Sequence, residues 1–415
     1  MVVAASLAGT ACASGANDIV VRATEANQPP ATTTSPPPPS TTTAAPPPST
    51  TATAPATSDP TTVESSTPLL VPATTEPPVS TSAVSAPTTP ATLAPGTLPL
   101  PAPPESELAH PFFGATNEAF EQLARANTGA SLTVVRGGEV IFSRAAGQTL
   151  DGHEATGDTP MVVASVSKIV VALGVARLHQ QGFIDIGGPV PWDDIGLAVN
   201  PAWYDVTIRE LLDHRSGLEK ARFSWFNDDG DCRTHVTTLL EPAPSRSRGE
   251  WVYSNGNYCI LGLLLEQRTG LPLDQALQAL AFDPVGVSGI HLTDNGLLPG
   301  DQPHAEGVDR LSRLGGAGTL IVSTDDTALL LGRMTPENAA VLLPPGVFTD
   351  QYGFGHTGTV DGAKACIWVL EGGATVVSAT IAGNSVNAGG AVCDIVVPAI
   401  ATDLGINAGR PDRTP

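Results

Sequence analysis

Lysine is nearly missing from this chain of 415 residues, which carries a formal net charge of −21. Only Lys168, Lys220 and Lys364 occur, and arginine supplies the remaining positive charge. No basic cluster is present that could follow a phosphate backbone, which argues against a nucleic-acid partner. The eight histidines show no His-Glu-x-x-His or other ligand spacing, so no metal is implied and no cofactor is expected. No Gly-x-Ser-x-Gly elbow occurs, which argues against an α/β-hydrolase. Past the first residues no stretch approaches about 18 apolar residues, so no membrane-spanning helix is expected there. Internal repeats are absent too.

What is present divides into three parts. Residues 1–27 read as an export segment. Met1 to Ala11 is small and apolar, and Cys12 follows Gly9-Thr10-Ala11. That spacing resembles the lipobox of bacterial lipoproteins, in which the cysteine is lipidated and anchors the chain to the membrane. Ordinary secretion with cleavage after Ala13 is the alternative, because Ala11-Cys12-Ala13 fits a small-x-small site. Both readings export the protein, to the outer face of a bacterial cytoplasmic membrane or beyond it. Residues 28–104 are almost entirely Pro, Thr, Ala and Ser. Such a segment buries too little surface to offset its ordering entropy, so it is expected to be a disordered linker. As polyproline II, at about 3.1 Å per residue, it would reach on the order of 200 Å. Residues 105–415 remain for one folded domain, enough for a sizeable core.

With Cys12 processed, Cys232, Cys259, Cys366 and Cys393 remain. An even number in an exported chain suggests two disulfides, and four cysteines allow three connectivities. The expected pairs are Cys232 with Cys259 and Cys366 with Cys393. Each closes a modest loop worth roughly 3 kcal/mol in the chain-entropy model. Buried free thiols are the alternative.

Periodicity predicts a helix over Asn117–Ala126 and a hairpin over Ser131–Ala145 turning at Gly137-Gly138. A mostly apolar helix follows over Val166–Gln181. Thr207 and Glu210 stand in capping-box spacing at the start of a short helix. Further helices are expected at Tyr258–Arg268, Leu273–Ala281, Thr324–Arg333 and Ala391–Leu404, the last interrupted by Pro398. Two strands, Ala365–Leu370 and Thr375–Ala382, join at Gly372-Gly373. The fold class is therefore α/β of the α+β type. An antiparallel sheet from both ends of the domain is flanked by terminal helices and joined to an all-helical region.

Three short motifs carry the chemistry. Ser165-Val166-Ser167-Lys168 opens the long apolar helix, and residues three apart share a helix face. A serine hydroxyl needs a nearby base, and a lysine buried among apolar residues has the lowered pKa of one. Alone, this spacing also fits an ordinary helix start. Tyr253-Ser254-Asn255 precedes the next core helix. A tyrosine hydroxyl can relay a proton, and the Asn255 amide can hold substrate or Lys168. Taken alone it is also a capped loop. His356-Thr357-Gly358 stands before a predicted strand, with Gly358 allowing close backbone approach. Gly353 to Gly358 also spells Gly-x-Gly-x-x-Gly, but a strand rather than a helix is expected after it.

In this order the motifs resemble the serine β-lactamase and penicillin-binding-protein superfamily, in its class C β-lactamase and D,D-carboxypeptidase branch. Leu211-Leu212, His214 and Ser216-Gly217-Leu218, the run from Tyr253 to Gly262, and Gly315 to Asp326 resemble further segments of that branch. The resemblance implies a β-lactamase/transpeptidase-like fold. It implies an acyl-enzyme on Ser165, with Lys168 as general base and Tyr253 assisting proton transfer. It also implies an oxyanion hole from the backbone N–H groups of Ser165 and Thr359. His356 and Thr357 would bind a substrate carboxylate or polar tail, beside Asn255 and Gly358. The expected partner is a small molecule or peptidoglycan stem peptide, hydrolysed as a D,D-peptidase, esterase or β-lactamase would. A lipoprotein that only binds in the same groove is the other reading. His214 and Ser216 are expected to be structural, supporting the turn after their helix.

Overall fold

The computed structural model describes residues 113–407, apart from 221–229, 288, 294–295, 305–307 and 335–347. The export segment with Cys12 and the linker at 28–104 lie outside the described residues, as does 105–112 of the assigned domain.

Two runs of strand-forming residues at opposite ends of the domain build one sheet. β1 (Gly129–Arg136) and β2 (Glu139–Ala146) form the expected hairpin. Gly137 and Gly138 turn it with φ of 61° and 83°, a region open to glycine. From the other end come β7 (Gly353–Val360), β8 (Ala363–Leu370) and β9 (Thr375–Ala382). With β6 (Phe348–Thr349) they complete a six-stranded antiparallel sheet in the order β2-β1-β9-β8-β7-β6. Every residue of β8 and β9 is buried, because both faces of the sheet are covered. That is why neither strand alternates polar with apolar.

One face carries α1 (Gly114–Ala126) and α8 (Gly389–Leu404). Phe120 and Leu123 of α1 meet Val396 and Ile400 of α8 over Leu132, Val134 and Val377. Asp403 near the end of α8 accepts the Ala115 and Thr116 N–H groups at 3.1 and 2.7 Å, capping the start of α1. Pro398 lies inside α8 without ending it. Burial of Val392, Val396, Val397 and Ile400 against the sheet outweighs the one backbone bond a proline removes. Cys366 on β8 is bonded to Cys393 on this helix.

The other face meets α7 (Thr324–Gly332) through hydroxyls. Ser131 and Thr133 of β1 bond Thr324, and Ser378 of β9 bonds Thr327. Beyond α7 lies the helical region. It holds α2 (Ser167–Gln180), α3 (Ile208–Leu212), α4 (Cys232–Leu240), α5 (Asn255–Thr269) and α6 (Leu273–Leu277). Thr207 and Glu210 form the expected reciprocal cap of α3. Cys232 on α4 is bonded to Cys259 on α5. The expected single helix over Leu273–Ala281 is divided: α6 stops at Leu277 and a π-helical turn carries Gln278–Phe282. A small sheet of β3 (Met161–Val162), β5 (Leu320–Val322) and β4 (His291–Leu292) joins the two regions.

Candidate active site

Ser165 sits where β3 gives way to α2. Ala164, just before it, has φ of 48°, a left-handed conformation a non-glycine residue seldom takes. The chain turns sharply there into a 3-10 turn over Ala164–Val166, which runs on into α2. Ser167 pins the turn. Its hydroxyl donates to the Ala164 carbonyl at 2.6 Å and accepts from Leu320 N of β5 at 3.1 Å. Ser165 is thus held half-exposed at the mouth of a rigid corner.

Lys168 lies one turn along, fully buried. Its Nζ is 3.0 Å from Ser165 Oγ and donates to the Ala317 carbonyl at 2.6 Å. The same nitrogen stands 5.0 Å from the Tyr253 ring centre and 5.8 Å from that of Tyr258. Burial holds its pKa well below the usual lysine range, because desolvation disfavours the ammonium. A neutral amine can donate to Ala317 and still offer its lone pair to the Ser165 hydroxyl.

Ala317 was not among the candidates. It ends a helical stretch, Val308–Ala317, whose Gly316 passes very close to α5: a Cβ there would stand 2.6 Å from the Tyr258 carbonyl. The Gly315-Gly316 pair, which lets this stretch press against α5, is the sequence signal for that approach.

Tyr253 also reaches the nucleophile. It hydrogen-bonds Ser165, yet burial outweighs this and pushes its phenol well above the usual tyrosine range. His214 clamps it. The His214 carbonyl accepts Val252 N–H at 2.8 Å, and its ring Nδ1 accepts Ser254 N–H at 3.2 Å. The ring also stacks on Tyr253, 4.5 Å between centres. Asn257 Nδ2 lies 3.0 Å from the same Nδ1, and Ser216 donates to Asn257 Oδ1 at 2.6 Å. His214 and Ser216 therefore do more than support their own turn: they fix the loop on both sides of Tyr253. Burial, then Lys168 and His356, keep the His214 pKa well below the usual histidine range.

Asn255 opens α5 three residues earlier than the expected start at Tyr258. Its Oδ1 is buried without a hydrogen-bond partner among the described residues, pointing to a ligand or water as its partner rather than Lys168.

His356, Thr357, Gly358 and Thr359 lie within β7, not before a strand as expected. They pair in register with β8: His356 with Ile367, Thr357 with Cys366, Gly358 with Ala365, Thr359 with Lys364. Glycine richness hid the strand, and close packing explains the glycines. A Cβ on Gly355 would meet the Ile367 carbonyl at 2.0 Å, and one on Gly358 the Val163 carbonyl at 2.1 Å. Among the described residues β6 pairs with β7 at Phe354 and Gly355, and β7 also packs against the Ser165 turn. Thr359 is exposed, and its hydroxyl accepts Gly389 N–H of α8 at 2.9 Å. His356 is buried, its ring 6.2 Å from Tyr253 and 5.0 Å from Phe348. Desolvation first, then Lys168, lower its pKa to about 3.

Ser165, Lys168, Tyr253 and His356 are thus brought together from three separate elements. A family profile described as Beta-lactamase matches residues 116–397. The chain is 32% identical over 196 residues to esterase EstB of Burkholderia gladioli, covering 40% of this chain and 48% of that protein. It is 24% identical over 244 residues to the putative penicillin-binding protein PbpX of Bacillus subtilis (strain 168), covering 54% and 60%. The chain thus spans about half the length of these curated relatives. Its fold is similar to that of a D-stereospecific amidohydrolase from Streptomyces sp., with a TM-score of 0.56 at 20% identity over 68% of this chain and 98% of that one. With the family profile spanning most of the folded region and these motifs meeting in one site, the chain belongs to the beta-lactamase family.

Proposed function

We propose that the protein is an exported serine hydrolase that works through an acyl-enzyme on Ser165. The observation that carries this is one serine hydroxyl contacted by two titrating groups, the buried Lys168 Nζ at 3.0 Å and the Tyr253 phenol. Burial lowers the Lys168 pKa and raises that of Tyr253. Environments that push two pKa values apart assign base and acid. Lys168 is then the base, and Tyr253 keeps its proton as the acid.

Ser165 Oγ attacks the substrate carbonyl carbon, and its proton passes to Lys168 Nζ. The developing oxyanion is received by the backbone N–H groups of Ser165 and Thr359. Gly358 supports this by bringing β7 against Val163 and Ala164 beside the nucleophile. Collapse breaks the bond to the leaving alcohol or amine, which takes the Tyr253 proton, and protonated Lys168 returns a proton to the tyrosine so that both groups are reset. Water then cleaves the ester to Ser165, releasing the acid and restoring the hydroxyl. The relatives' names, an esterase and a penicillin-binding protein, support ester or amide substrates of this class. Export is supported by the Cys12 motif and by the two bonded cysteine pairs. Membrane attachment would then be through a lipid on Cys12.

The test is to incubate the purified protein with a fluorescent penicillin and with p-nitrophenyl acetate, beside Ser165→Ala. Labelling or ester turnover that vanishes in the variant is expected. Neither labelling nor turnover by the parent protein would replace this reading with a groove that only binds.

A further inference from the structure

His356 shows its tautomer by its contacts. Nδ1 lies 2.8 Å from the Thr357 carbonyl, which can only accept, so Nδ1 carries the hydrogen. The ring is neutral, so Nε2 is a bare lone pair. That nitrogen is buried and has no hydrogen-bond partner among the described residues. A buried acceptor left unpaired is costly, and sites that retain one supply its partner on binding. Lys168, the amine placed beside it, is itself turned to Ser165 and Ala317. Phe348 lies against the imidazole, and Trp251 lies 6.4 Å beyond Phe348, both rings partly exposed. This end of the site therefore offers a lone pair framed by aromatic faces, not a positive charge.

We infer that the His356 subsite selects acyl substrates presenting an uncharged N–H or O–H donor there, such as a carboxamide or alcohol, over those presenting a free carboxylate. A carboxylate would set its charge against the imidazole lone pair in a desolvated pocket. A donor satisfies Nε2 directly, in the plane already fixed by the Thr357 carbonyl. Phe348 and Trp251 would flank the same group, favouring an apolar body around the donor. The inference rests on the acyl-enzyme reading above and adds to it the substrate's polar end.

The experiment uses two thioesters identical except that the leaving group ends in a carboxamide or a carboxylate, with p-nitrophenyl acetate as a third substrate. The wild-type protein is expected to prefer the carboxamide at least tenfold in kcat/KM. His356→Lys should reverse that ratio, while His356→Gln, whose amide carbonyl still accepts, should retain the wild-type preference. Phe348→Ala should alter both rates with the ratio kept. Ser165-dependent turnover of p-nitrophenyl acetate with equal or better use of the carboxylate would overturn this inference alone. An unchanged ratio in His356→Lys, with acetate turnover intact, would overturn it too. Failure on all three substrates would instead remove the hydrolase reading.

Discussion

Gly358 passes so close to Val163 that the smallest side chain would strike the Val163 carbonyl oxygen. The contact joins the sheet to the corner that presents Ser165, and it depends on one missing methyl group. Gly358→Ala is therefore expected to destabilise the fold by roughly 1–3 kcal/mol through overpacking. Acylation should fall further than stability does, because the edge of β7 is pushed off the nucleophile. Urea denaturation and single-turnover labelling on the same preparation check both effects.

The rate of acylation should depend on pH through Lys168. A protonated amine cannot take the serine proton, so kcat/KM should fall as pH drops through the depressed lysine pKa. His356 is neutral above about 3 and contributes no limb near pH 6 to 7. Tyr253→Phe should keep the position of the acid limb and lower the plateau by about 10²- to 10⁴-fold, the usual worth of a positioned proton donor. Lys168→Ala should leave no pH-dependent acylation at all. A limb that stays in place in Lys168→Ala would show that the base is another group.

His214 touches neither nucleophile nor lysine, yet it holds the chain on both sides of Tyr253. His214→Ala leaves the Ser254 N–H and an Asn257 amide N–H unpaired, each costing about 1–3 kcal/mol. The expected signature is a lower kcat with the acid limb unmoved, since the base itself is intact. His214→Asn, which restores an acceptor, should recover part of the loss. A shift of the limb would mean that His214 acts on the proton rather than on position.

Two partly buried carboxyls should add stability as the solution is made mildly acidic. Burial raises the carboxyl pKa of both Asp213 and Asp326 to about 6. Each folded pKa lies above its unfolded value of about 4, so the folded state binds more protons between them. The stabilisation is complete below about pH 4 and is lost as pH rises through 6. Acidification from pH 7 to pH 5 should therefore lower the melting temperature of Asp213→Asn with Asp326→Asn more than that of the parent protein, because the variant lacks this compensation. Lys168, His214 and His356, held below their usual ranges by burial, act in the opposite sense over the same window, because acid protonates them first in the unfolded chain.

Removing a bonded pair tests the two regions separately. Cys232→Ala with Cys259→Ala should cost roughly 3 kcal/mol by loop entropy. It should also disturb activity, because Cys232 packs against Gly315, two residues from the carbonyl that holds Lys168. Cys366→Ala with Cys393→Ala should cost a similar amount of stability and spare Ser165 labelling. Comparing melting temperature with labelling rate for the two double variants separates these outcomes.

Local signals made much of this legible. The capping residues of α3, the glycine turn of the first hairpin and the apolar run of α2 each act within a few residues, so spacing reveals them. The Ser165–Lys168 contact is of the same kind, one helical turn. What spacing could not reveal is what comes from far along the chain. Ala317 lies 149 residues from Lys168 and contributes only a backbone carbonyl, which any residue has. β7 is hidden from spacing because its glycines answer to β8 and Val163 rather than to strand propensity. The clamp by His214 was hidden for the same reason: its partners are two backbone N–H groups about 40 residues away. The role expected for His356 came from a resemblance, and the tautomer that redirects it depends on one carbonyl in its own strand.

Asp403 closes the described part of the domain on itself, since among the described residues it belongs to the last helix and completes the first. Beginning and end are thus one hydrogen-bonded node on the face of the sheet away from Ser165. Two things follow for anyone who cuts or rejoins this chain. Trimming the final helical turn undoes the first helix as well, although nearly 290 residues separate them. Joining the two ends by a short linker and opening the chain at an exposed loop elsewhere should preserve both the cap and the catalytic corner.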